Sequence, residues 1–235
     1  MMFKHTIYGI DRLFRTDVPH PSIILITGPP GSLKSGITCN IMAEHIRKTD
    51  DFGVYVNLEQ STEIHMLNMQ SLGINMPENL FISDYTDFRR RFETQETHLD
   101  IIDMVERTIR FFKEKEGKRF TMLALDSLGA LYSIMKDNRD LRGRVYRFFR
   151  FLRETSITAF IIMEKPLFYE VYDVAGGEEF LADGIIEMGM LEIEGTHDVL
   201  LYIQVVKMRG TSHDRKKHTI HITKEGIHII GPVLR

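Results

Sequence analysis

Apolar residues recur along this chain in two rhythms, and the alternation between them outlines a fold. Ile23-Ile24-Leu25-Ile26-Thr27 is short and continuously apolar, as a strand buried on both faces should be. From Lys34 to Lys48 the apolar positions Ile37, Ile41, Met42 and Ile46 return at helical spacing. Val54–Leu58 reads as the next strand, and Thr62–Leu72 as a helix ended by Gly73. Leu80–Ser83 is a short strand. Leu99–Lys115 carries Ile102, Val105, Ile109 and Phe112 on one helical face. Phe120–Leu125 is a further apolar strand, closed by Asp126. Leu141–Glu154 reads as a helix and Thr158–Met163 as a strand.

Strands and helices in strict alternation predict an α/β fold with a mostly parallel central sheet flanked by helices. After Gly184 the pattern changes. Ile185–Glu194, Val199–Met208, Lys217–Ile222 and Ile227–Ile230 are strand-like and closely spaced. Such spacing predicts a C-terminal antiparallel β extension along one edge of the sheet. No linker-like stretch, repeat or low-complexity tract interrupts the chain, so residues 1–235 are expected to form one domain.

Composition narrows the function classes. With 235 residues, 43% of them apolar, the chain can bury a sizeable core. Its net charge is −3. A dedicated nucleic-acid binder would carry a basic excess, so nucleic acid is not an expected partner. The single cysteine, Cys39, allows no internal disulfide, and a reducing cytoplasm is the expected compartment. No apolar run is long enough for a membrane span, and Met1–His5 does not open a signal peptide.

The chemistry is concentrated between the first strand and the first helix. Gly28-Pro29-Pro30-Gly31-Ser32-Leu33-Lys34-Ser35, continued by Gly36, has the form and the strand–helix setting of a P-loop. Backbone N–H groups in such a loop converge on phosphate oxygens, and the following helix directs its positive end at them. Lys34 would reach the β- and γ-phosphates of ATP, and Ser35 would offer its hydroxyl to Mg²⁺. One position departs from the pattern: Leu33 stands where the consensus has glycine, and a side chain there narrows the allowed backbone angles.

Hydrolysis needs more than a cradle. Asp126, at the carboxyl end of an apolar strand, has the place of a Walker B acid beside Mg²⁺. Glu59 follows the Val54–Leu58 strand, where a carboxylate could orient an attacking water or simply start a helix. Glu164 ends the Thr158–Met163 strand in a similar place. By position alone Lys207 and Arg209 are two same-face charges on a strand, which reads as solvation.

Taken together these motifs resemble the RecA/KaiC-like ATPases, and in particular the single-domain archaeal and bacterial KaiC-like proteins. The likeness runs from Tyr8-Gly9-Ile10-Asp11-Arg12-Leu13 through the P-loop, Val54–Ser61 and Asp126-Ser127. It continues in Gly177–Gly184 and in Lys207-Met208-Arg209-Gly210-Thr211-Ser212-His213. The resemblance implies a three-layer RecA-like fold. It implies that Glu59 is the first of two catalytic glutamates, the second replaced here by Gln60. It implies that Lys207 and Arg209 reach a neighbour's γ-phosphate, with His213 near the same interface. It therefore implies a homo-oligomeric ring, a hexamer, with ATP at each junction, acting on an unknown protein partner as a slowly hydrolysing, nucleotide-dependent regulator. Two other functions are weighed: a catalytically weak nucleotide-binding scaffold, and a recombinase-like DNA-binding ATPase.

Other conspicuous residues have blander explanations. Arg142, Arg144, Arg147, Arg150 and Arg153 alternate with Tyr146, Phe148, Phe149 and Phe151 as the wet and packed faces of one amphipathic helix. Arg89-Arg90-Arg91 reads likewise as solvated charge, with a short cationic turn near the nucleotide edge as the alternative. His218 and His221 fall on opposite faces of a strand and make no ligand pair. The thirteen methionines are core filler. No metal beyond Mg²⁺ carried with ATP is expected.

Overall fold

The computed structural model describes residues 5–84, 101–135, 140–165, 178–193, 195 and 198–233. The elements follow in order: β1 (Ile23–Gly28), α1 (Lys34–Thr49), β2 (Phe52–Asn57), α2 (Thr62–Ser71), β3 (Leu80–Asp84), α3 (Ile101–Glu116), β4 (Phe120–Asp126), α4 (Leu128–Ile134), α5 (Leu141–Glu154) and β5 (Thr158–Glu164). A short helix α6 (Glu178–Leu181) precedes β6 (Gly184–Glu192), β7 (Val199–Met208), β8 (His218–Thr223) and β9 (Gly226–Pro232). The strands form a nine-stranded sheet in the order β3-β2-β4-β5-β1-β6-β7-β8-β9.

Alternate residues of β1 enter opposite layers, because successive side chains of a strand point to opposite faces. Ile24 and Ile26 join the layer of Ile37, Ile41 and Met42 from α1, with Ile227 and Ile229 from β9. Ile23 and Leu25 join the layer of Val105 and Ile109 from α3, with Phe148 and Leu152 from α5. The face expected from Ile102, Val105, Ile109 and Phe112 is buried. So is the face of Val145, Phe148, Phe149 and Leu152, while arginines of α5 pair with neighbouring acids: Arg144 with Asp103, Arg147 with Asp140 and Arg153 with Asp183.

Boundaries shift for local reasons. α1 runs one residue past Lys48 and ends at Asp50 in the left-handed region (φ 59°), whose N–H returns to Ile46 O. The helix expected from Leu99 is described from Ile101. α4 was not legible in the periodicity. Its seven residues, about two turns, are started by Ser127, whose hydroxyl accepts from Ala130 N at 3.1 Å.

The C-terminal strands need one correction. They were expected as antiparallel hairpins on an edge, but the first of them, β6, pairs in parallel with β1, Leu25 opposite Ile185 and Thr27 opposite Glu187. Antiparallel pairing starts only at β6–β7 and continues through β9. The connection from Lys165 to Asp183 is long enough for a crossover, which parallel neighbours require. The burial of Gly184, Ile185, Ile186 and Met188 is that of an interior strand.

Candidate functional site

The carboxyl ends of β1, β2, β4 and β5 lie side by side, with Gly28 opposite Glu164 and Asn57 opposite Asp126. In a parallel sheet this is the edge where ligands gather. The loop after β1 is tightly built. The carbonyl of Pro29 accepts from Ser32 N–H at 3.3 Å, Ser32 Oγ at 2.8 Å and Lys34 Nζ at 2.8 Å. Gly28 has no room for a side chain: a Cβ there would stand 2.1 Å from Met188 O of β6. Gly31 takes φ 80°. Pro30 lies on the loop between them, and Gly36, inside α1, faces Leu72 and Ile227.

Leu33 adopts φ 68° and ψ 24°, the left-handed conformation that glycine enters freely. For leucine this costs about 1–2 kcal/mol. Its half-buried side chain packs against the core layer of α1, and that burial offsets part of the cost.

Lys34 is 7% exposed, and burial pulls its pKa below the ordinary lysine value. Its nearest carboxylate is Glu164, at 3.9 Å. Asp126, 5% exposed, accepts two hydroxyls on one oxygen: Ser35 Oγ and Tyr55 OH each donate to Oδ2 at 2.6 Å. Burial pushes its carboxyl upward, and the two hydrogen bonds oppose that shift. Glu59 is exposed at the end of β2 and accepts from the hydroxyl of Ser127. Asn57 shapes this corner, its Oδ1 accepting from the N–H groups of Glu59 and Gln60 at 3.0 Å each.

This donor set fits a magnesium nucleotide. A hydroxyl and a carboxylate, Ser35 and Asp126, supply hard oxygen ligands of the kind Mg²⁺ takes. Beside them a buried ammonium bonded to a main-chain carbonyl is ready to exchange that partner for phosphate oxygen. Among the described residues no group of three or more His, Cys, Asp or Glu side chains is arranged to hold a metal.

Lys207, Arg209 and His213 are not brought to this edge. Lys207 pairs with Ile185, which pairs with Leu25, so it lies toward the amino end of β1. Its Nζ donates to the carbonyls of Glu179 (2.9 Å) and Ala182 (2.7 Å). Arg209 reaches Asp183 Oδ1 at 3.3 Å and Phe180 O at 3.2 Å. Asp183 also accepts from Ile23 N at 3.0 Å. The cluster therefore stands at the opposite end of β1 from Gly28, five strand steps or about 16 Å away. His213 is joined to Phe14 by a β-bridge, and its Nδ1 lies 3.1 Å from Thr211 O.

Three residues went unassigned in the sequence: Tyr55, Asn57 and Ser127. Tyr55 did carry a signal, being a phenol inside an otherwise apolar strand, since a buried hydroxyl seeks a partner. Arg89-Arg90-Arg91 and Gly177 lie outside the described residues.

Comparison with known proteins follows the same outline. The sequence model of the family described as "ATPase: KaiC" matches residues 3–233. The circadian clock protein KaiC3 of Synechocystis sp. is 29% identical over 94% of the chain, and the match covers 44% of that protein. The chain thus spans less than half the length of this relative. A UPF0273 protein of Thermotoga maritima is 27% identical, over 95% of the chain and 93% of that protein. The crystal structure of a KaiC-like protein from Pyrococcus horikoshii superposes with a TM-score of 0.79, covering 98% of this chain and 99% of that one at 24% identity.

Proposed function

Because the chain belongs to the KaiC ATPase family, a group of RecA-fold P-loop proteins, we propose that it binds ATP with Mg²⁺ in the loop from Gly28 to Ser35 and hydrolyses it slowly at the junctions of a ring. The observation that supports this most directly is the hydrogen bond from Ser35 Oγ to Asp126 Oδ2 at 2.6 Å. It joins two residues far apart in sequence into one oxygen-donor pair beside the Lys34 ammonium.

Each residue has a role in this proposal. Main-chain N–H groups of 31–36, with the amino end of α1, receive the phosphates, Pro29 and Pro30 having no N–H to offer. Lys34 leaves the Pro29 carbonyl and neutralises β- and γ-phosphate charge. Ser35 and Asp126 hold Mg²⁺, which would neutralise charge developing between these phosphates. Glu59, oriented by Ser127, takes a proton from the attacking water. Lys207 and Arg209 cannot serve their own cradle from the amino end of β1. They are assigned to a neighbour's γ-phosphate, which makes the assembly head-to-tail and, on closure, hexameric. His213 belongs to the same junction. Residues 1–235 act as one ATPase domain, in the cytoplasm, whose nucleotide state regulates a protein partner. No described helix is long and apolar enough to cross a membrane.

A second reading, a nucleotide-binding scaffold with little turnover, draws on Gln60. Its Oε1 accepts from Asn68 Nδ2 at 3.0 Å, so it is tied to α2 and offers no second base beside Glu59. Phosphate release by the assembled protein separates the two. E59Q should lower turnover about 100-fold with ATP affinity unchanged. Turnover that E59Q leaves at the wild-type rate would remove Glu59 from the chemistry.

A further inference from the structure

β2 is an apolar strand with a phenol in its middle. Val54, Tyr55 and Val56 are all fully buried. A phenylalanine at 55 would fill the same space and bury no hydroxyl, so the phenolic oxygen adds nothing to the packing. Its one hydrogen-bonded carboxylate is Asp126, at 2.6 Å.

We propose that Tyr55 is a positioning residue for Asp126, its hydroxyl fixing the direction of the carboxylate that, on the function proposed above, receives Mg²⁺. Two donors from different elements meet one oxygen: Ser35 from the P-loop helix and Tyr55 from β2. The other carboxylate oxygen, Oδ1, takes neither. Ser35 is half-buried at the loop, where its hydroxyl must also serve the ion. Tyr55 lies fully buried within the core, its hydroxyl donating to the carboxylate from the β2 side. Its ring is held in turn by His65 of α2, with centroids 4.6 Å apart. His65 Nε2 lies 3.2 Å from Cys39 Sγ of α1. A fully buried ring in that setting cannot swing, so the hydroxyl is a fixed point from which Asp126 is aimed. Partners of this kind behind a metal ligand are worth roughly 10–100-fold in metal affinity.

The test is Y55F, read by the binding of a fluorescent ATP analogue to the full chain, first in EDTA and then across a Mg²⁺ titration. The expected result is a Mg²⁺ midpoint raised about tenfold, with affinity in EDTA changed less than twofold. In a D126N background Y55F should move the midpoint no further. A Y55F midpoint within threefold of wild type, or an equal shift in the D126N background, overturns the proposal. A wild-type protein that binds no nucleotide, or binds it without regard to Mg²⁺, overturns the proposed function instead. Should Y55F fail to fold, wild-type protein labelled with ¹³C at tyrosine Cζ and loaded with ATP is titrated with Mg²⁺. One buried phenol resonance should move with the binding midpoint, and a spectrum in which none moves sinks the idea.

Discussion

At the carboxyl edge of the sheet Lys34 and Asp126 are buried and the half-buried Ser35 donates to Asp126, whereas at the amino edge Lys207 and Arg209 hold carbonyls and one carboxylate near the surface. The first group is brought together by contacts within the chain alone. The second lies beside Phe180, which is 82% exposed and whose carbonyl accepts from Arg209. On the function proposed above, one chain would divide a reaction between these edges, with binding groups at one end of β1 and cations for a neighbour's phosphate at the other. Burial pulls the pKa of Lys207 below the ordinary lysine value, as it does for Lys34. The two edges therefore differ in access more than in the nature of their cations.

The sharpest way to break this comparison is R209A. If Arg209 serves a neighbour, turnover by the assembled protein should fall about 1,000-fold while ATP affinity stays within about threefold. A parallel loss of affinity would place the guanidinium's effect within its own subunit. K34A comes next. Removing the buried ammonium should weaken ATP binding about 100-fold in equilibrium titration, and wild-type affinity in that variant would end the carboxyl-edge assignment.

Acid should weaken the packing behind Asp126. Burial lowers the pKa of His65, which packs on Tyr55 behind Asp126, from 6.5 to about 4. The unfolded chain therefore takes up that proton before the folded one does. The stabilisation is complete above pH 6.5 and is lost as pH falls toward 4, amounting to about 3 kcal/mol. Denaturant unfolding across that range should show the slope, and H65Q should flatten it. The smallest effect concerns Leu33. L33G relieves the left-handed backbone but gives up the packing of a half-buried leucine, so net stability should fall by about 1 kcal/mol or less. A net gain in stability would mean instead that the backbone strain outweighs the packing at this corner.

Much of the carboxyl edge was legible in advance because its signals are local. A strand, a glycine-bearing loop and a Lys-Ser helix start are contiguous, and Asp126 ends an apolar run whose meaning does not depend on its neighbours. The assignment of Lys207 and Arg209 to a neighbouring subunit came only from resemblance, since two charges on a strand look the same whether they face water or another subunit. The parallel pairing of β6 was missed because spacing along the chain records how close strands are in sequence, and a crossover hides behind a connection of any composition. Tyr55 was missed for a related reason: its partner lies on another strand.

What the amino-acid sequence determined by itself was most of the strands and longer helices, the glycine-bearing loop and the acids at strand ends, all of which follow from periodicity and short-range geometry. The tertiary structure alone decided which hydroxyls share Asp126 Oδ2 and that Lys207 and Arg209 stand at the far end of β1 from Gly28. Those facts depend on strand order and register, which are set by the packing of the whole sheet and are written in no single segment.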